Sequence, residues 1–283
     1  MKILITGGKG MLGRTLQKVL AEHELVIADL PEADITDPSG FDRFLAAARP
    51  DAVIHCAAMT AVDKCESEVG LAYRLNAFGS ANVAGACHRH GVRLIAISTD
   101  YVFRGDADRP YCEFDRADGG NTVYGQSKFA GEEAIRTLCP DLVICRVSWL
   151  YGAGGPSFVH AMMNLADGTR PVLKVVNDQH GNPTSTAAVA GRLKDILAVP
   201  ELIGTFHLTC EGEATWFELA REIFRLAGKD QKVEPCSTDE FPRPAPRPKN
   251  SRLEKRMLRL AGLPPMIDWH EALADFMREE FHC

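Results

Sequence analysis

Short apolar runs alternate with stretches of amphipathic helical periodicity through the first half of this chain, and that alternation restricts the fold more than any other feature. Lys2–Thr6 reads as a strand and Met11–Glu22 as the helix after it; further strands are expected at Leu25–Ala28, Ala52–His55, Leu94–Ser98 and Leu142–Val147. Strands separated by helical lengths of chain must lie parallel, because a parallel connection needs a dozen or more residues to return to the same edge. The expected fold is α/β, a doubly wound parallel sheet. The texture changes after Tyr151 to GAGGPS, a helix near Phe158–Leu165, a strand near Val172–Val176 and the run DQHGNPT. Residues 1–150, with a return segment near 180–209, are therefore expected to form the sheet domain, and 151–283 mainly a smaller C-terminal lobe. Within that lobe, Thr215 and Glu218 of TWFELAREIF can form a capping box, and Trp216, Leu219, Ala220, Ile223 and Phe224 mark one packed face. The proline- and arginine-rich stretch Phe241–Pro248 is expected to be a loop.

Composition removes several function classes. A net charge of −6 gives no electrostatic case for nucleic-acid binding, so any anion site must be local. The nine cysteines are scattered and contain no CxxC pair, which argues against a disulfide framework or a zinc site and favours a reducing, cytoplasmic setting. No signal peptide and no run of about 20 apolar residues is present, so neither export nor a membrane span is expected.

The glycine turn is the first motif with chemical content. In TGGKGMLG, Gly7, Gly10 and Gly13 follow a strand and open a helix, where they permit a tight turn, close approach of backbone to phosphate and close helix packing. The helix N-terminus adds free N–H groups and a partial positive charge. Asp29, at the end of the second strand, is placed to accept hydrogen bonds from adenosine ribose hydroxyls, which favours NAD; Lys9 inside the turn favours NADP. Either cofactor remains open at this point.

Tyr124 and Lys128 in YGQSK lie four residues apart and share a helix face. A phenol beside an ammonium can shuttle a proton to a carbonyl, with the cation expected to lower the phenol's pKa. Gly125 and Gly131 each destabilise a helix by about 1 kcal/mol unless close packing demands them. STDYVF begins where the fourth strand ends, at the sheet edge where ligands bind, so Ser98 and Thr99 can hydrogen-bond a substrate carbonyl.

These motifs, with CAAMTAVDKCE, NAFG, RVSWLYG, NDQHGNPT and RPKNSRL, resemble the extended short-chain dehydrogenase/reductase superfamily and, more closely, its dTDP-4-dehydrorhamnose reductases, over almost the whole chain. The resemblance implies an oxidoreductase using NADP or NAD, with Thr99, Tyr124 and Lys128 catalytic and Asp100 beside the substrate. It further implies that Gly10, Met11 and Leu12 wrap the pyrophosphate, Asp29 the ribose, and Asp34 with Ile35 the adenine side. Ala57, Ala58 and Met59 would line the nicotinamide half, and Trp149 would pack against the sugar nucleotide. Arg247 and Arg252 are available cations for a diphosphate. The implied partner is a dTDP-sugar bound by a monomer or homodimer, with no nucleic acid and no membrane.

Two departures qualify the match. Some relatives carry a metal-bridging glutamate shortly after the last turn glycine, where Arg14 and Thr15 stand here, so no metal is expected. Cys56 replaces the asparagine that usually opens the NAAxTAVD run. Two other functions remain open: a reductase or epimerase of another nucleotide sugar, and a non-catalytic nucleotide-binding regulatory subunit.

Overall fold

The computed structural model describes residues 1–166 and 169–283. Six parallel strands build the main sheet: β1 (Lys2–Thr6), β2 (Glu24–Ala28), β3 (Ala52–His55), β4 (Arg93–Thr99), β5 (Leu142–Val147) and β6 (Gly204–His207). Their spatial order is β2-β1-β3-β4-β5-β6. The chain steps outward from β1 to β2, then crosses back to lay β3 on the other side of β1, so the topological reversal falls between β1 and β3. Loops leaving the C-terminal ends of these two strands diverge and leave a crevice there.

Alternate residues of each strand bury on opposite faces, which is why the strands read as continuous apolar runs. Ile3, Ile5, Ile54 and Val143 pack with Leu12 and Leu16 of helix α1 (Met11–Val19). On the other face Leu4, Val53, Leu94 and Ile144 pack with Phe41 and Leu45 of α2 (Pro38–Ala48), Val83 and Cys87 of α3 (Ser80–His90) and Ile135 of α4 (Val123–Leu138). Helix α1 stops at Val19, a turn earlier than its periodicity suggested.

A second cluster forms the lobe around α5 (Phe158–Leu165) and a parallel pair, Leu173–Val176 with Val233–Cys236. The chain then leaves the lobe: α6 (Thr186–Leu197) covers the first face with Val189, Leu193 and Ile196, and β6 pairs with β5. It returns through α7 (Trp216–Leu226), whose Thr215–Glu218 capping box is formed, and ends with α8 (Trp269–Phe281). Phe241–Pro248 carries no helix or strand, and it is pinned at Ala245, whose N–H donates to Asp63 Oδ1 at 3.2 Å. Among the described residues no helix is long and apolar enough to cross a membrane.

Candidate active site

A cleft of about 670 Å³ opens over the C-terminal ends of β1, β3, β4 and β5. Its β1 end is a turn that only glycine can make. Gly7 has φ +66°, and a Cβ there would lie 2.7 Å from the Ala57 nitrogen; a Cβ on Gly13 would lie 2.4 Å from the Gly7 carbonyl oxygen. Helix α1 then starts at the cleft with no side-chain cap and no acidic residue in its first turn. By contrast α2, α4, α5, α6, α7 and α8 are all capped, by Asp37, Thr122, Ser157, Ser185, Thr215 and Asp268. Gly10, Met11, Leu12 and Gly13 line the cleft at this uncapped end, which suits a pyrophosphate electrostatically.

Asp29, Asp34 and Ile35 line the same end. Asp29 is anchored on both oxygens, by the Lys9 N–H at 2.8 Å and the Leu30 N–H at 2.9 Å. The Lys9 ammonium donates to the Leu30 carbonyl at 2.5 Å and lies 3.6 Å from Glu32. Ala57 and Ala58 line the cleft beyond Gly7, but Met59 does not. Its side chain turns inward to bury with Cys65, Ala72 and Tyr124, because the sheltered side of this loop is apolar. The Asn76 amide holds the Met59 backbone from both sides, accepting from its N–H at 2.8 Å and donating to its carbonyl at 3.1 Å. Asn76 is thus a buried side chain spent on the backbone of this loop.

Tyr124 and Lys128 reach the middle of the cleft from α4. Both helix glycines prove to be close-packing positions. A Cβ on Gly125 would meet the Tyr101 carbonyl oxygen at 2.2 Å, and one on Gly131 would meet the Asn76 carbonyl oxygen at 2.2 Å. The Tyr124 ring stands edge-on to Tyr101, with centroids 5.4 Å apart. Thr99 lines the cleft beside the phenol and donates its own hydroxyl proton to Asp100 Oδ1 at 3.0 Å. Burial raises the phenol's pKa above its ordinary value, against the pull of the neighbouring Thr99 hydroxyl. The expected lowering by Lys128 is not found, and the ammonium instead donates to the Ile97 carbonyl at 2.8 Å. The phenol therefore stays protonated and available to donate. Burial also depresses Lys128 to about 8, against the pull of Glu132. Asp100 is pushed up to about 6 by burial, and its Oδ2 has no hydrogen-bond partner.

The β5 end adds Ser148, 1% exposed with an unpartnered hydroxyl, and Trp149. Sequence reasoning missed Ser148, Tyr101 and Thr60, all of which line the cleft. Ser148 and Tyr101 stand beside singled-out residues, and that adjacency was the available signal.

Arg252 is not in the cleft wall. Its guanidinium is consumed by Asn250 Oδ1 at 2.8 Å, the Asp108 carbonyl at 2.9 Å and Glu213 at 3.1 Å. Arg247 pairs with Asp63 at 2.9 Å. Arg252→Ala is accordingly expected to leave the KM for a sugar nucleotide within about twofold and to lower stability by about 1–3 kcal/mol, the worth of hydrogen bonds to a charged group. Thermal melts alongside steady-state kinetics check this; a tenfold rise in KM without a lower Tm would return Arg252 to the substrate.

Residues 1–281 match the family profile described as the RmlD substrate binding domain. The chain belongs to that family. It is 44% identical over 280 residues to the dTDP-4-dehydrorhamnose reductase of Streptomyces griseus, covering 96% of this chain and 91% of that protein. It is 42% identical over 281 residues to a probable dTDP-4,6-dihydroxy-2-methyloxan-3-one 4-ketoreductase of Streptomyces antibioticus, covering 97% and 94%. Among solved structures, the dTDP-4-dehydrorhamnose reductase of Bacillus anthracis in complex with NADP superposes with a TM-score of 0.95 at 40% identity, covering 98% of this chain and 99% of that one. The match runs through the main sheet and all the residues that line the cleft.

Proposed function

We propose that this protein is an NAD(P)H-dependent reductase that converts dTDP-4-dehydro-6-deoxy-L-mannose into dTDP-L-rhamnose. The observation that carries this reading is one continuous cleft with an uncapped, glycine-built helix N-terminus at one end and Thr99, Tyr124 and Lys128 at its centre. The cradle fits a dinucleotide: Gly7, Gly10, Met11, Leu12 and Gly13 would hold the pyrophosphate, Asp29 the ribose, and Asp34 with Ile35 the adenine side. When bound, the reduced nicotinamide supplies a hydride to the keto carbon.

Tyr124 donates its proton to the carbonyl oxygen as negative charge develops there, and its burial-raised pKa keeps that proton in place at neutral pH. Thr99 steers the same oxygen, and Lys128 supplies positive charge beside it. Asp100 stands beside the sugar, and Trp149 walls the sugar nucleotide. The nine free cysteines suit a cytoplasmic enzyme acting as a monomer or homodimer on a small-molecule substrate, without nucleic acid or membrane.

The Streptomyces antibioticus relative supports a second reading, in which the same residues reduce a different dTDP-keto sugar. Purified protein mixed with NADPH and each candidate dTDP-keto sugar is expected to lose nicotinamide absorbance fastest with the 4-dehydrorhamnose. Faster loss with another sugar transfers the assignment, and tight NADPH binding without oxidation of any sugar makes the protein a regulatory subunit.

The depressed Lys128 pKa gives a pH signature. The cation predominates below about pH 8 and is lost as pH rises through that value, so kcat/KM is expected to fall on an alkaline limb near pH 8. Lys128→Met should be slow at every pH and should lack that limb. An unchanged limb in the variant would assign it to another group.

A further inference from the structure

Trp149 has a left-handed backbone, φ +47°, a conformation that a bulky residue rarely adopts and that marks a position held by its surroundings. Three contacts hold it. Its carbonyl accepts from the Thr184 N–H at 3.2 Å. Gly181 of DQHGNPT leaves room for the indole, since a Cβ there would lie 2.4 Å from Trp149 Cε2. The Trp216 ring lies on it almost parallel, with centroids 3.6 Å apart and planes 10° apart. Trp149 lines the cleft, whereas Trp216 does not.

Trp216 is itself fixed. Its Nε1–H donates to Gln179 Oε1 at 3.0 Å, the Gln179 amide donates to Thr238 Oγ1 at 2.9 Å, and that hydroxyl donates to Asp178 Oδ1 at 2.6 Å. Thr238 lies just before the proline-rich loop, so this chain of bonds ties the indole to both DQHGNPT and the entry of that loop. The side chains of Asp178 and Gln179 are thereby committed to the wall rather than to a ligand.

We propose that Trp216 is a positioning residue for the sugar-nucleotide subsite: it clamps the Trp149 indole in its left-handed pose, with Gln179 orienting the clamp. This rests on the reductase reading above for what the cleft binds. A ring at position 216 is what the role requires, so Trp216→Phe should behave nearly as wild type and Trp216→Leu should not.

Two readouts test it. Loss of an aromatic pair is expected to raise the sugar-nucleotide KM about two- to tenfold in Trp216→Leu, with kcat and the NADPH Kd within about twofold. In a Trp269→Phe background, time-resolved fluorescence anisotropy of Trp149, left as the sole tryptophan, should show a mobile indole with Leu at 216 and a rigid one with Phe. A rigid Trp149 with Leu at 216, an unchanged KM, or equal effects of Leu and Phe overturns the proposal. Should Trp216→Leu fail to fold, Gln179→Leu decides: a smaller KM rise with loosened indole emission supports the clamp, and no change overturns it. The anisotropy measurement needs no turnover, so a wild-type protein that reduces no dTDP-keto sugar sinks the functional reading, while the anisotropy still decides whether Trp216 holds Trp149.

Discussion

Tyr124→Phe is expected to reduce kcat by about a hundred- to ten-thousand-fold, the usual worth of a positioned general acid, while NADPH binds as before. The geometry confines the change to one oxygen. The ring keeps its edge-on contact with Tyr101 and its packing with Met59 and Cys65, and only the hydroxyl is lost. Because a single hydroxyl is removed and the ring packing is kept, stability should change by about 1 kcal/mol at most. Thr99→Val is expected to be milder, since the phenol retains its proton and loses only the group that aims it. Stopped-flow measurement of single turnovers with a dTDP-keto sugar distinguishes the chemical step from product release. A Tyr124→Phe enzyme turning over within tenfold of wild type would remove the phenol from the proton-transfer step and shift attention to Asp100, whose pKa near 6 makes it the next titratable group at the cleft.

Five of the six sheet strands were legible in the sequence as short apolar runs, because helices cover both faces of the sheet, whereas Gly204–His207 lacks such a run and was read only as part of a return segment. Ala52–His55 and Leu142–Val147 match to the residue, Leu25–Ala28 differs by one residue at its start, and Leu94–Ser98 is one residue short at each end. The glycine turn and both α4 glycines were legible for a related reason, since a missing side chain at a costly position signals a neighbour that leaves no room. What sequence could not give was direction. Ala57, Ala58 and Met59 are consecutive, yet the loop presents the first two to the cleft and turns the third inward. Arg252 is claimed by Asp108 and Glu213, partners distant in sequence that no local pattern announces. The packed face of α7 was read correctly at Leu219, Ala220, Ile223 and Phe224. Trp216 packs against the same cluster, as its periodicity indicated, but periodicity shows that a face packs and not on what, so its stacking on Trp149 was not legible.

Glu132→Ala is expected to produce the largest loss of stability of any single change near the site, about 3–5 kcal/mol, because it strips the partner from a buried cation. Arg146 is 3% exposed and Glu132 2%. They meet through two bonds, Nε to Oε1 at 2.9 Å and Nη2 to Oε2 at 2.6 Å, and Arg136 adds a third contact at 3.3 Å. Arg146 and Arg136 hold the Glu132 carboxyl below the usual carboxylate range despite its burial, so the pair is ionic in the folded state. Arg146 also lies 4.9 Å from the Phe103 ring centroid and keeps one buried nitrogen, Nη1, unpaired, so no other side chain is poised to replace the carboxylate. Thermal melts should register a Tm lowered by about 10 °C. The double variant Glu132→Leu with Arg146→Met should recover most of that loss, since an apolar pair of similar volume removes both desolvation penalties together. Glu132 is one helical turn from Lys128 and favours its charged form, so removing the carboxylate should also move the alkaline limb of kcat/KM to lower pH. In the double variant the limb should stay low while the Tm returns, which separates the electrostatic effect on the ammonium from the integrity of the fold. A single variant that melts within 2 °C of wild type would mean that water or a side-chain rearrangement reaches Arg146, and that the ion pair is not what holds α4 against β5.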